Sequence, residues 1–196
     1  MKTRLVGILA VACVAVLSGV FSGTAAGESR NRDLERLVAK GMYSAGDGAQ
    51  IQKSFAAALN AGIRESDALS LVETCVDGEF DAAQTQRALS IATQLALEGL
   101  PIESYIAKIE EGVSKRAAPA AVVQVAERRA LALNKARQIL NALVLQGATI
   151  DDRDELLPDL ASALEAGRSP EQARAIILEA LKEGESAGGI RRKLFP

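Results

Sequence analysis

The fold is decided by residues 99–147, which read GLPIESYIAKIEEGVSKRAAPAAVVQVAERRALALNKARQILNALVLQG. Apolar residues at positions i, i+3, i+4 and i+7 predict a short amphipathic helix here, and they are Ile102, Tyr105, Ile106 and Ile109. Gly112 is expected to end or loosen this helix. Pro119 suits the first turn of the next helix, where its missing N–H is not needed. That second helix is the longest in the chain, so we expect the shorter helices to pack against it.

The apolar residues of this long helix follow a 4–3 spacing, which is typical of packing between near-antiparallel helices. They are Val122, Ala126, Leu133, Ala136, Leu140 and Leu143, and Arg129 interrupts the stripe. Four basic residues on the same helix accompany a single acid, Glu127; they are Arg128, Arg129, Lys135 and Arg137. This composition predicts a solvated face whose arginine stems lie along apolar surface.

The first 26 residues are typical of an export signal. Lys2 and Arg4 precede an uncharged apolar run over residues 5–21, and Ala25-Ala26 supplies the small residues for cleavage before Gly27. We therefore expect an exported protein, periplasmic or secreted, that is cleaved near Ala26. Retention as an anchor is the alternative, although the run is shorter than the roughly 20 residues of a spanning helix.

A glycine follows an apolar stripe at four places in the chain, Gly62, Gly99, Gly147 and Gly167. The residues three, four, seven and eleven positions before each glycine are apolar, which predicts helices that end at glycine caps. The glycine intervals of 37, 48 and 20 residues are too uneven for a regular solenoid period. The sequence therefore predicts an all-α fold, an irregular array of antiparallel helical hairpins with glycine-capped joints.

The composition excludes several kinds of active site. The chain has no histidine, which removes Ser–His and Cys–His nucleophiles and histidine-bound zinc. It has no Walker loop or dinucleotide-binding glycine motif, and its acidic clusters around Asp77 and Asp151 lack EF-hand spacing. We therefore expect no catalytic residue, metal or cofactor. A Ser–Lys hydrolase needs none of these features and stays open, although no characteristic motif supports it.

The charge and the cysteine content point away from two further roles. The formal net charge is −2, which argues against nucleic acid as a partner. Cys75 is the one cysteine after residue 26 and lies on an apolar stripe, so we expect a buried, unreactive thiol.

Lys108, Glu111, Gly112 and Lys115 form a K-x-x-E-G-x-x-K element. Together with Pro119 and the helix that follows, over roughly residues 95–140, this element resembles one found in uncharacterised exported bacterial proteins. The resemblance implies export and a helical fold, and it carries no known activity. Lys108 and Glu111 are three residues apart, so they can pair on one exposed helix face.

The chain divides into a signal peptide (1–26), a helical domain (27–187) and a flexible basic tail (188–196). The tail follows Gly188-Gly189 and combines Arg191, Arg192 and Lys193 with Leu194 and Phe195. This combination can dock on an acidic partner or on an anionic membrane surface. A disordered end without a role is the alternative.

Two functions fit these features. The first is a non-enzymatic exported envelope protein that acts by protein–protein contact or self-assembly, with another envelope protein or a second copy as partner. The candidate contact residues are Lys108, Glu111, Lys115, Arg191, Arg192 and Lys193. The second is a small protein that binds lipid or another apolar ligand in a cleft between helices. The missing catalytic residues and the Ala/Leu-rich helices favour the first function.

Overall fold

The computed structural model describes the backbone of residues 25–195 and the side chains of residues 32–195. In this part of the chain all regular secondary structure is helical, which confirms the predicted all-α class. The helices are α1 (Ala25–Lys40), α2 (Ala45–Asn60), α3 (Glu65–Asp77), α4 (Ala82–Leu97), α5 (Glu103–Ser114), α6 (Pro119–Leu145), α7 (Arg153–Glu165), α8 (Pro170–Lys182) and α9 (Ala187–Leu194).

The predicted signal peptide lies outside the described residues, apart from Ala25 and Ala26 at the start of α1. None of the helices within residues 25–195 has both the length and the apolar character that crossing a membrane requires.

Helix starts follow local capping chemistry. Ser44, expected to lie in a turn, is the N-cap of α2, and its hydroxyl accepts a hydrogen bond from the N–H of Asp47 at 3.2 Å. Asp81 and Ser169 each form a capping box with the glutamine three residues later. Pro158 lies inside α7, so residues 153–165 form one helix rather than a separate turn and helix.

Gly112 does not end α5, because the helix continues to Ser114, so the first of the two expected effects of this glycine is wrong. The reason for glycine is instead a close approach between helices. A Cβ atom at Gly112 would lie 2.7 Å from a methyl carbon of Val122 on α6. Gly112 therefore lets α5 and α6 pack closely.

The helices are separated by residues with left-handed backbone, and the spacing of these residues is regular. In the described chain they are Met42, Gly62, Glu79, Gly99, Arg116, Gly147, Gly167 and Gly184. The intervals between them are 20, 17, 20, 17, 31, 20 and 17 residues. After all of them except Met42, the next N–H donates to the carbonyl five residues earlier, the hydrogen bond of a Schellman motif. Three helix-pair units of 37 residues each therefore cover residues 43–79, 80–116 and 148–184, and α6 separates the second from the third.

Equivalent positions in these three units are buried. In the first helix of each unit they are Ile51, Phe55 and Ala58; Ala88, Ala92 and Leu95; and Leu156, Leu160 and Ala163. In the second helix they are Ala68 and Val72; Tyr105 and Ile109; and Ala173 and Ile177. The repeat is thus a packing unit as well as a backbone pattern.

Helices that lie two apart in the chain pack side by side in two rows. One row contains α2, α4 and α6, and the other contains α1, α3 and α5. In the first half of α4, Arg87 pairs with Glu127 of α6 at 2.8 Å. At the end of α4, Arg137 of α6 donates to the backbone carbonyl of Glu98 at 2.6 Å, where it meets the negative end of the α4 dipole. These contacts show that α4 and α6 run parallel.

The last described residues differ from the expected flexible tail. Residues 187–194 form α9, and Ala187, Ile190 and Leu194 are buried against a core to which α7 and α8 also contribute. These three apolar residues share one helical face, so their burial offsets the conformational entropy that Gly188 and Gly189 lose. The prediction of a flexible tail is therefore wrong for this segment.

The left-handed joints allow a paired test of stability. Gly99→Ala should lower the free energy of unfolding by about 1 kcal/mol, because a Cβ atom disfavours left-handed backbone. Among the described residues no atom lies within 4 Å of that Cβ, so a steric clash does not contribute. Glu79→Gly should raise the free energy of unfolding by a similar amount, about 1 kcal/mol. Urea denaturation followed by circular dichroism checks both, and identical midpoints for all three proteins would contradict the joint geometry.

Candidate functional site

A groove follows the exposed side of α6. It consists of three cavities of about 230, 420 and 350 Å³, in order from the start of α6 to its C-terminal half. Lys108 and Val125 line both the first and the second cavity, and Lys135 lines both the second and the third. The cavities are therefore adjacent along α6 and open to solvent, and we refer to them together as the α6 groove.

The floor of the α6 groove is a second stripe on α6, beside the buried one. Its residues have the same 4–3 spacing and are Ala121, Val125, Arg128, Ala132, Lys135, Ile139 and Ala142. Leu131 stands next to them with 63% of its surface exposed. From residue 121 to residue 142 the stripe extends about 32 Å along the helix.

The walls come from helices on both sides of α6. Lys108 comes from α5, Leu164 and Glu165 come from α7, and Pro170 and Arg174 come from α8. Helices α5 and α7 make few or no close backbone contacts with each other. The 31-residue interval from Arg116 to Gly147 also falls here. The α6 groove therefore lies where the regular alternation of helices between the two rows is interrupted.

Lys108, Glu111 and Lys115 come together at the N-terminal end of the groove. The ammonium groups of Lys108 and Lys115 donate to the two carboxylate oxygens of Glu111, at 2.8 and 2.5 Å. Hydrogen bonds from both lysines lower the pKa of Glu111 to about 2. One negative charge is thus shared between two positive charges, so this end of the groove has a net charge of +1.

Arg128 and Lys135 supply further positive charge to the α6 groove. Both are exposed, as the predicted solvated face requires, and neither forms an ion pair with another described residue. They are seven residues apart on α6, with Leu131 between them, so all three side chains share one side of the helix. Sequence reasoning did not single them out as site residues, because their role depends on where α5 and α7 stand.

Arg129 and Arg137 depart from the predicted solvated face. Arg129 is only 4% exposed, and its guanidinium donates to Glu165 at 2.9 Å, to Ser162 at 3.0 Å and to the carbonyl of Pro158 at 3.1 Å. Its Nε atom has no hydrogen-bond partner in the described part of the chain. Arg137 is bound to the C-terminal end of α4. Both arginines are therefore structural, and the charge of Glu165 in the groove wall is compensated by Arg129.

The basic residues of α9 lie outside the α6 groove, and each faces an acid. Arg191 is 3.6 Å from Asp159, Arg192 is 3.8 Å from Glu185, and Lys193 pairs with Glu183. The structure therefore does not bring them together with Lys108, Glu111 and Lys115, and it leaves their charge largely balanced.

Cys75 is fully buried, as predicted. Burial raises the pKa of its thiol to about 12, because the thiolate would lose its hydration there. No group of three or more histidine, cysteine, aspartate or glutamate side chains among the described residues is arranged to hold a metal ion.

Comparison with protein-family models, with curated proteins and with solved structures finds no match to this chain.

The ion pairs of Glu111 predict a pH dependence. Its pKa of about 2 in the folded state lies below the ordinary value of 4.5. The two pairs therefore stabilise the folded state fully above the ordinary value, and this contribution is lost as the pH falls through about 2. A ¹³C NMR titration of the Glu111 carboxyl should show this low midpoint. Lys115→Gln should raise the midpoint and Lys53→Gln, on distant α2, should leave it unchanged; an unshifted midpoint in the wild type would contradict the pairing.

The Cys75 thiol should react slowly with a thiol-specific reagent at pH 8, because it is buried and only its thiolate is nucleophilic. The same reagent should label it rapidly in denaturant. Absorbance during reaction with Ellman's reagent measures both rates. Equal rates with and without denaturant would show that the thiol is accessible in the folded protein.

Proposed function

We propose that this chain is a non-enzymatic exported envelope protein that acts by contact with another protein. Its helices form an array of antiparallel hairpins whose joints are glycine-capped except at Met42, Glu79 and Arg116, and this array presents the α6 groove to the partner. The observation that carries the proposal is the groove itself, a row of three adjacent, solvent-open cavities about 32 Å long that combines apolar and charged side chains.

The composition of the α6 groove favours a protein partner over an apolar small molecule. Basic side chains outnumber acidic ones along it; the basic residues are Lys108, Lys115, Arg128, Lys135 and Arg174, and the acidic residues are Glu111, Glu165 and Glu171. Val125, Leu131, Ile139 and Leu164 lie among them. Protein interfaces combine apolar anchors with a charged rim in this way, whereas small apolar ligands favour concave sites that bury most of their surface.

The groove also offers little for catalysis. Among the described residues that line its three cavities there is no serine, threonine, cysteine, histidine or tyrosine. The nucleophiles and general bases that most enzymes use are therefore missing from this surface, apart from lysine and glutamate side chains. Glu111 and Lys108 are engaged with each other, and Glu165 is engaged with Arg129. These contacts support a role in binding.

The proposal is tested by reversing the charge of the groove. The partner is first recovered from source cells by crosslinking, identified and purified, and its affinity is measured by calorimetry. The double variant Arg128→Glu/Lys135→Glu should bind at least tenfold more weakly, a loss of about 1.4 kcal/mol or more, because its charges then oppose those of the partner.

The matched control is Lys53→Glu/Lys182→Glu, which makes the same charge change at exposed positions on α2 and α8 outside the groove. It should bind like the wild type. Equal affinity of both double variants would overturn the proposal, and so would failure to recover any partner. Turnover of a peptide, ester or peptidoglycan substrate that one Ser, Glu or Lys substitution abolishes would overturn the non-enzymatic assignment.

A further inference from the structure

The partner's shape and charge can be specified further, on the basis of the proposed function. We propose that the α6 groove takes a single amphipathic α-helix of the partner, with an apolar stripe flanked by carboxylates seven residues apart.

The interruption of the helix-pair repeat at α6 explains why a helix fits into the α6 groove. Helix α3 packs between α1 and α5, whereas α5 has α3 on one side and the α6 groove on the other. The floor stripe of α6 has the 4–3 spacing that packs against another helix, and over about 32 Å its residues are exposed or partly exposed except for Ala132, which is buried. A helix laid along this stripe would be bordered by α5 and α7, as α3 is bordered by α1 and α5. The binding mode is that of a helix in a groove.

The repeat also shows how α5 differs where it borders the groove. Lys108 stands one repeat of 37 residues after Leu71 of α3. Leu71 is 1% exposed within the array, whereas the side chain of Lys108 is 35% exposed at the groove wall. The position that is apolar and covered in α3 is therefore charged and accessible in α5. A charged, accessible side chain at this position suits the polar rim of an interface whose partner binds and dissociates.

Charge complementarity determines that the helix is acidic. Arg128 and Lys135 project from the floor without ion-pair partners among the described residues, while Glu111 is held by Lys108 and Lys115 and Glu165 by Arg129. Glu171 also lines the third cavity, so the groove keeps an excess of positive charge rather than a purely basic lining. Positions seven residues apart on a helix are about 10.5 Å apart along its axis. Carboxylates with the same spacing on the partner can therefore face both cations, while its apolar residues contact Leu131 between the two cations and Val125 before Arg128.

A helix library tests this inference even before the partner is identified. Single helices of 21 residues, with one face randomised, are displayed on phage and selected against the purified chain. Bound helices should be enriched in Asp and Glu at two positions seven residues apart, beside Leu, Ile or Val. Arg128→Glu/Lys135→Glu should weaken a selected peptide at least tenfold in fluorescence anisotropy, and Lys53→Glu/Lys182→Glu should leave it unchanged.

Exchanging the charges of the peptide and the groove is the decisive experiment. Replacing the two selected acids by lysine should abolish binding to the wild type and restore binding to Arg128→Glu/Lys135→Glu. Selection of basic or uncharged helices, selection of no helix, or failure of the swap would overturn the inference.

Two further measurements identify other occupants. A dimer in light scattering that Arg128→Glu/Lys135→Glu abolishes would assign the α6 groove to a second copy and overturn the partner-helix inference. Flotation with phosphatidylglycerol vesicles that the same variant abolishes would assign it to an anionic lipid surface, again against the inference. If the library fails while the purified partner still depends on the groove, the proposed function stands and only the acidic helix is excluded.

Discussion

The packing of α6 is the interaction on which the rest of the structure depends. Its 27 residues contact α4 and α5 on the side of the two rows and α7 and α8 on the other side. The buried stripe that includes Leu133, Leu140 and Leu143 provides the apolar part of these contacts. Arg129 and Arg137 add charge-assisted hydrogen bonds to α7 and α4, which fix the neighbours along the helix axis. Helix α6 therefore joins the two rows of helices to α7 and α8. Its outer face is also the place where α5 and α7 leave space between them.

Much of the fold could be predicted from residues that act locally. The 4–3 spacing located the buried stripe of α6, because side-chain periodicity follows directly from helix geometry. The joint geometry was only partly visible, because Met42, Glu79 and Arg116 hold the left-handed conformation that glycine signals elsewhere. Those three residues conceal the 37-residue repeat from any search based on glycine. The helix at the C-terminus was missed because two glycines outweighed the face formed by Ala187, Ile190 and Leu194.

The candidate site shows the same division between local and distant effects. Lys108, Glu111 and Lys115 could be grouped from sequence, since spacings of three and four residues bring them together on one helix. Arg128 and Lys135 look like any exposed basic residues until α5 and α7 are in place. Arg129 differs from them in the sequence because it lies on the apolar stripe of α6, but its partner Glu165 is 36 residues away in the chain and could not be identified from spacing.

Because the helix-pair units have equal length, such a chain can gain or lose a whole unit without a mismatch at the joints. Residues 43–79 and 80–116 each follow a left-handed residue and end at another, so a tandem copy of either would present matched ends to its neighbours. Deleting residues 43–79 would likewise rejoin equivalent backbone. As long as residues 80–116 stay next to α6, such a gain or loss would alter the length of the molecule while the α6 groove kept its lining. The length of the molecule and the lining of the α6 groove are thus encoded in separate parts of the chain and can vary independently.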